Sequence, residues 1–118
     1  MMTEKFSPEL MRGSLELMVL SVLAEESKYG YSLQQSLHAA SRGRVDVKAG
    51  TLYPLLHRLE ADKLIKCKWD KSTGRKRKWY TLTATGHKRL QQQATQWYEY
   101  ADCLRRMLAP VIEAPKPA

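Results

Sequence analysis

The chain has 118 residues and a mass of 13.6 kDa, so it has room for a single domain with a short extension. Hydrophobic residues make up 43% and charged residues 27%, which argues against wholesale disorder, and a net charge of +8 indicates an anionic partner such as nucleic acid. We expect a cytoplasmic protein with no membrane partner, because the sequence has no apolar run of ~18 residues, no secretion signal and no cysteine pair spaced as in a metal clip.

The first two predicted helices lie in the N-terminal forty residues. Ser7-Pro8-Glu9 is typical of a helix start, and apolar residues then recur with a helical period as far as Ala24. Gly13 interrupts this helix, which either kinks there or begins after it. A second helix is predicted over residues 31–40, and residues 45–47 are a candidate for a very short strand.

The third predicted helix, residues 51–62, contains a proline near its start. With Thr51 as N-cap, Pro54 lies in the first turn, where its missing N–H has no intrahelical partner. If the helix begins earlier, the carbonyl left without a donor is that of Gly50. Both alternatives tolerate the proline. The helix turns one apolar stripe towards the core, formed by Leu52, Leu55, Leu56 and Leu59.

Two segments of strand character follow, at residues 65–69 and 79–82, with a polar, glycine-containing stretch between them. They predict a β-hairpin. Residues 65–82 carry seven basic residues against Asp70 alone, so this hairpin holds +6 of the net +8. Three helices followed by a hairpin is the element order of a winged helix-turn-helix. We therefore predict a mainly α fold with a small β-hairpin as the wing.

Thr83 is predicted to cap a long last helix that ends near Ala109, before Pro110. Six apolar or aromatic residues along this helix are spaced 4, 3, 4, 3 and 4 apart, which is a heptad pattern. So narrow a stripe indicates another helix alongside, and we predict a dimer held by this seam. The predicted dimer interface consists of Leu90, Ala94, Trp97, Ala101, Leu104 and Leu108.

The sequence resembles the PadR family of bacterial transcriptional regulators over residues 15–90. The overall length is similar to that of the short subfamily, which has a single C-terminal dimerisation helix. Lys63 departs from the family pattern, which usually has glycine at the end of the third helix, and Trp79 stands where tyrosine is common. The matching residues are Tyr29-Gly30-Tyr31, Gly50 to Glu60, Leu64-Ile65, Trp69, Arg77 to Thr83 and Gly86.

The resemblance implies a homodimeric repressor that binds a double-stranded DNA operator and is released by a small aromatic or amphipathic effector. In this interpretation residues 1–82 form a winged helix-turn-helix DNA-binding domain, residues 83–112 a dimerisation helix, and residues 113–118 a flexible tail. We expect no cofactor, no metal and no enzymatic activity, because the three histidines are scattered and no nucleophile or phosphate-binding motif occurs.

In this interpretation the third helix enters the major groove, where an arginine can grip guanine and a threonine can contact a phosphate or a thymine methyl group. The basic wing binds phosphates, and the start of the second helix meets another phosphate through N–H groups and a tyrosine hydroxyl. The predicted DNA-binding residues are Lys28, Tyr31, Thr51, Tyr53, His57, Arg58, Lys71, Arg75, Lys76 and Arg77.

Some of these residues have structural alternatives. Arg58 forms a surface ion pair in one of them, for instance with Asp62, and the Tyr53 ring packs under the wing in another. Tyr29-Gly30 is a turn in a third, with the glycine supplying a conformation and the tyrosine capping the core. At the protein level, a non-specific or RNA-binding architectural module is the alternative to a repressor, although it explains only the charge.

Trp97 lies in the middle of the predicted seam, between Ala94 and Ala101. In the simpler interpretation it is a bulky packing residue. In some members of the family an aromatic residue at the dimer centre lines a pocket for flat apolar ligands. The small alanines on either side leave space for such a pocket, so Trp97 is the candidate effector-binding residue.

Overall fold

The chain forms five helices and a three-stranded antiparallel sheet within residues 4–72 and 74–113, which are the residues that this computed structural model describes. This confirms the predicted fold class. In chain order the elements are α1 (Pro8–Met11), α2 (Leu15–Glu25), β1 (Lys28–Tyr29), α3 (Gly30–Ala40), α4 (Ala49–Ala61), β2 (Ile65–Asp70), β3 (Arg77–Leu82) and α5 (Ala84–Glu113).

The core lies where α2, α3 and α4 meet the sheet. Each helix contributes residues of its apolar stripe, and Tyr80 of β3 closes the core from the sheet side. Burial of a leucine or valine side chain of this kind contributes about 1.5–3 kcal/mol, so these stripes carry much of the stability. The buried residues are Val19, Leu20, Val22, Leu23, Leu33, Leu37, Val45, Val47, Leu52, Leu56, Leu59, Leu64, Ile65, Tyr80 and Leu82.

The predicted first helix is divided into α1 and α2 by a turn at Gly13. Ser7 caps α1 as predicted, because its Oγ accepts a hydrogen bond from the N–H of Leu10 at 3.2 Å. Gly13 lies in the turn with a φ of +90°, so the main helix begins after the glycine, at Leu15. The second of the two alternatives at Gly13 is therefore correct.

The sheet contains one strand that the sequence analysis missed and lacks one that it proposed. β2 and β3 form the predicted hairpin, with Ile65 opposite Leu82 and Asp70 opposite Arg77. The third strand is β1, which pairs with β3 on its other edge through Lys28 and Tyr29. The proposed strand at residues 45–47 was wrong, since this stretch has no partner strand and instead buries its two valines in the core.

Helix α4 begins two residues earlier than predicted. Its N-cap is Lys48, whose carbonyl accepts hydrogen bonds from the N–H groups of Thr51 and Leu52, both at 3.0 Å. Thr51 is therefore inside the helix and does not cap it. The carbonyl that Pro54 leaves without a helical donor is that of Gly50, in agreement with the second alternative.

The turn after α4 keeps the left-handed geometry that a glycine would give. Lys63 has a φ of +61°. Its N–H donates to the carbonyl of Glu60, and the N–H of Leu64 donates to that of Leu59, each at 3.0 Å, which is a Schellman cap. The departure from the family pattern at this position therefore leaves the turn unchanged and puts a lysine in an unfavourable conformation.

Replacing Lys63 by glycine is expected to raise the free energy of unfolding by about 1 kcal/mol, because glycine adopts the left-handed conformation without a steric cost. Urea denaturation of the two proteins measures the difference. Lys66→Gly in β2 is the control and should destabilise, since the backbone there is ordinary strand. A Lys63→Gly protein no more stable than the parent would contradict this account of the turn.

Helix α5 starts at the predicted cap and extends beyond the predicted end. The hydroxyl of Thr83 accepts from the N–H of Gly86 at 2.9 Å, and a Cβ on Gly86 would lie 2.1 Å from the carbonyl oxygen of Leu64, so the helix start is pressed against the preceding turn. Pro110 was wrongly predicted to end the helix. It removes only the hydrogen bond to the carbonyl of Arg106, which is exposed and open to water.

The predicted flexible tail at residues 113–118 is reached only in part. Glu113 still belongs to α5, and residues 114–118 lie outside the described residues. Helix α5 packs mainly on α2. Within the described ranges, no helix is long and apolar enough to cross a membrane.

Candidate nucleic-acid interface

The exposed side of α4 divides its predicted DNA-binding residues between two grooves. Leu52, Leu56 and Leu59 are buried, so the opposite side of the helix faces outward. Tyr53 and His57 lie on the side of the β2–β3 hairpin, which we call the wing. On the other side, Thr51 and Arg58 border a groove of about 630 Å³ between α4 and α1.

The wing groove, which lies between α4, the start of α3 and the wing, has a volume of about 420 Å³. Its walls combine aromatic rings with basic side chains, and five of the ten predicted DNA-binding residues line it. A concave, cationic surface of this size between a helix and a hairpin can accept a phosphodiester backbone. The lining residues are Tyr29, Gly30, Tyr31, Tyr53, His57, Trp69, Lys76, Arg77, Lys78 and Tyr80.

Aromatic rings hold the basic side chains of the wing in place. The guanidinium of Arg77 lies over the rings of Tyr29 and Tyr31, 5.4 and 5.7 Å from their centroids, and these two rings are stacked 6.3 Å apart. The ammonium groups of Lys76 and Lys78 lie 4.5 and 5.4 Å from the centroid of the Trp69 ring. Cation–π contacts restrict these side chains while leaving their N–H donors free for an anion.

Tyr29 ties the wing to the helical body. Its hydroxyl donates to Oδ2 of Asp70, and Oδ1 of the same carboxylate accepts the N–H of Ser72 in the wing turn at 2.8 Å. Its ring also packs edge-on against Trp79. The hydrogen bond from Tyr29 lowers the pKa of Asp70 to about 2, so the carboxylate is charged at neutral pH. The single acidic residue of the wing thus anchors it.

Gly30 is required by a close approach of Tyr53. Its φ is not positive, so the interpretation that this glycine supplies a turn conformation was wrong. A Cβ on Gly30 would lie 2.7 Å from Oη and 3.0 Å from Cε1 of Tyr53. Tyr53 therefore packs on the start of α3, and its ring remains 37% exposed at the wing groove.

We expect Gly30→Ala to displace the Tyr53 ring and to cost about 1–3 kcal/mol, as for other overpacked sites. Truncating the obstacle with Tyr53→Ala in the same chain should recover much of this loss, because the new methyl group then has space. A double-mutant cycle by urea denaturation measures the coupling. Gly50→Ala is the matched control, since no atom lies within 4 Å of a Cβ there. Additive effects at Gly30 and Tyr53 would contradict the proposed contact.

Two of the predicted DNA-binding residues already have partners within the chain. Arg58 donates to Oε1 of Glu16 at 3.1 Å, so its ion pair is with α2 and not with Asp62. Lys28 lies in β1, where its ammonium pairs with Glu26 at 2.8 Å and is largely covered. By contrast, Arg58 keeps 60% of its side chain exposed.

The remaining predicted DNA-binding residues are open to solvent or border the wing groove. Tyr31 is 48% exposed at the start of α3. Lys71, Arg75 and Lys76 are exposed at the wing tip. Three residues of the wing groove escaped the sequence analysis, namely Tyr29, Trp69 and Lys78. Trp69 was placed on the inner face of the hairpin by its alternation with Lys68, yet it is 52% exposed.

The predicted dimer seam is covered only in its first half. Leu90 packs against the core, and Ala94 and Trp97 are half-buried beside α2. The helix alongside this part of the seam is thus α2 of the same chain. The second half lies free of other helices, with Leu104 39% and Leu108 44% exposed.

A groove of about 430 Å³ runs between α2 and α5 at Trp97. Ala94 and Ala101 border it from α5, together with Leu17 and Met18 from α2. The ring of Trp97 also packs edge-on against Tyr100, with centroids 5.6 Å apart. Both interpretations of Trp97, a packing residue and a ligand contact, remain open in this geometry.

Comparisons with known proteins agree with this arrangement of helices and wing. A transcriptional regulator from Mycobacterium tuberculosis is 40% identical over 78 residues, which cover 66% of this chain and 70% of that protein. A solved PadR family transcriptional regulator from Eggerthella lenta has a TM-score of 0.76 at 38% identity, covering 91% of this chain and 88% of that one.

A transcriptional regulator from Clostridium thermocellum has a TM-score of 0.77 at 26% identity, covering 83% of this chain and 96% of that one. All three similar proteins are transcriptional regulators and none is described as an enzyme. Residues 19–92, more than half of the sequence, match the transcriptional regulator PadR-like family. The chain therefore belongs to the PadR-like family of transcriptional regulators.

Proposed function

We propose that the chain is a homodimeric repressor that binds a two-fold-symmetric DNA operator and is released by a small apolar effector. The observation that carries the proposal is the wing groove, where the exposed side of α4 and the basic wing face the same space. A helix for base contacts beside a cationic hairpin for phosphate contacts is what a winged helix-turn-helix needs to bind a duplex. As the target is chromosomal DNA, we expect the protein to act in the cytoplasm.

In this proposal α4 is the recognition helix and enters the major groove. Thr51, His57 and Arg58 contact base edges or nearby phosphates, and Tyr53 supports the helix at its contact with Gly30. Arg77, held over two tyrosine rings, grips a phosphate of the strand that crosses the wing groove. The further phosphate contacts come from Lys28, Tyr31, Lys71, Arg75 and Lys76.

The proposed dimer forms through the second half of the seam. Residues 1–82 serve as the DNA-binding domain and residues 83–112 as the dimerisation helix. The support is the row of exposed apolar side chains on α5, which continues past the predicted seam to Val111 and Ile112 at 71% and 80% exposure. A second copy that covers this row would remove it from water and place two recognition helices on one rigid body.

The proposed effector binds at the groove beside Trp97. Its volume of about 430 Å³ falls within the range of small-molecule sites, and its walls are mostly apolar. A flat apolar molecule is the class of ligand that an indole ring between two alanines accepts by stacking. The groove lies between α2 and α5, so an occupant there would alter the packing of the dimerisation helix.

Selection from a random duplex library tests this function directly. The full chain is incubated with the library, bound DNA is amplified over several rounds, and the enriched sequence is footprinted. A repressor of this design should enrich and protect a short site with two-fold symmetry, with half-sites about one helical turn apart. The non-specific architectural protein would enrich no site, and that result would overturn the proposal.

A further inference from the structure

A single carboxylate joins the recognition helix to the dimerisation helix. Glu16 lies on α2, and its side chain is only 19% exposed. Its Oε1 accepts a hydrogen bond from Nη2 of Arg58 on α4 at 3.1 Å, and its Oε2 accepts one from Nε2 of Gln93 on α5 at 2.7 Å. Arg89 of α5 places Nη1 3.9 Å from the same Oε2.

Glu16 orients Arg58 without consuming it. A guanidinium has five N–H donors in a rigid plane, and the bond to Glu16 uses one of its nitrogens. The side chain remains 60% exposed, so the other donors face outward from α4. An arginine whose plane is fixed beforehand loses less freedom when it binds a base edge with two hydrogen bonds, which favours the matching base over others.

Gln93 in turn fixes the orientation of Glu16. Its Oε1 is buried and has no hydrogen-bond partner among the described residues, which is unusual for a buried amide oxygen. Turning the amide over would bring that oxygen against the carboxylate of Glu16, so the carboxylate accounts for the observed orientation. The side chain of Gln93 is thus committed to Glu16, and a shift of α5 against α2 would move both.

We propose that Glu16 and Gln93 are positioning residues for Arg58 that set the specificity of the protein for one base pair without touching DNA. The inference rests on the proposed function, in which α4 enters the major groove. Gln93 adjoins Ala94 of the groove at Trp97, so the same contacts connect α5, the dimer seam and the effector groove to Arg58.

The test measures discrimination at each base pair. The probes are the site that the parent chain enriches from the random library and all its single-base-pair variants. Arg58→Ala should relax discrimination at one base pair. Glu16→Gln and Gln93→Ala should relax it about fivefold at that same base pair, with discrimination elsewhere unchanged. In an Arg58→Ala background, Gln93→Ala should add nothing.

Charge and stability are controlled separately. Glu16→Gln removes one negative charge and should raise affinity for all duplexes alike, which leaves the ratios between them unaffected. Gln92→Ala, an exposed neighbour on α5, should change no ratio. Thermal unfolding of each variant shows whether the fold is intact at the temperature of the binding assay.

Each remaining outcome overturns the inference in a recognisable way. If Glu16→Gln or Gln93→Ala weakens binding to all sites equally, or relaxes a different base pair, the two residues serve only the fold. If Arg58→Ala relaxes no base pair while the parent still enriches a site, the inference fails and the DNA-binding function stands. If the parent enriches no site, the proposed function itself fails.

Discussion

Changing Arg75, Lys76 and Arg77 together to alanine is expected to weaken binding to the enriched site and to random DNA by a similar factor. If removing one phosphate contact costs roughly 1 kcal/mol, the affinity falls about a hundredfold at moderate salt. The slope of log affinity against log salt should also become shallower by about 0.9 for each phosphate that the variant no longer binds. The reason is that residues 65–82 carry +6 of the net +8, and phosphate contacts position a protein without reading sequence.

Salt titrations with both DNAs measure these effects. The charge-matched control changes Lys88, Arg105 and Arg106, three exposed basic residues of α5, to alanine. The control should keep most of the affinity, because those residues lie away from the wing groove. A wing variant that loses affinity only for the enriched site, at an unchanged salt slope, would show that the wing reads bases.

The same titration separates the recognition helix from the wing. Changing Thr51 and His57 should lower the ratio of specific to random affinity and leave the salt slope nearly unchanged, because these side chains add little formal charge. Arg58 should fall between the two classes, since its guanidinium serves a base or a phosphate equally well. If neither the helix variants nor the wing variant affects DNA binding, the repressor proposal is wrong.

Local periodicity was sufficient to predict most of the elements. The leucine stripe of α4 and the alternation in β2 and β3 depend on residues a few positions apart, and so does the cap at Thr83. The errors were of the same local kind. The strand at residues 45–47 was proposed from two valines that are buried individually, and β1 was missed because a two-residue strand has no period.

The contacts that organise the candidate site were beyond reach for a different reason. The pair of Tyr29 and Asp70 spans 41 positions, and that of Glu16 and Gln93 spans 77. No spacing in the sequence marks such partners, because they meet only after the helices have packed. The basic and polar residues of the site were therefore predictable from the sequence, whereas the rings and carboxylates that hold them were found in the structure.

Replacing Leu104 by aspartate is expected to convert a dimer into a folded monomer. Leu104 lies in the second half of the seam and is 39% exposed in the single chain, so the carboxylate can remain in water there. In the proposed dimer the same carboxylate would be buried without a partner, which costs several kcal/mol. The control is Gln96→Asp, an exposed position of α5 outside the seam, which should leave the dimer intact.

Sedimentation velocity of the parent and both variants decides the prediction, and circular dichroism confirms that each is folded. The seam assignment is wrong if the parent is already a monomer or if Leu104→Asp dimerises as tightly as the parent. Separation of the chains should also weaken binding to the enriched site far more than binding to random DNA, because the two half-sites are then no longer read by one rigid body. This effect differs from that of the wing variant, which falls on both DNAs, so the two variants test the dimer and the phosphate contacts independently.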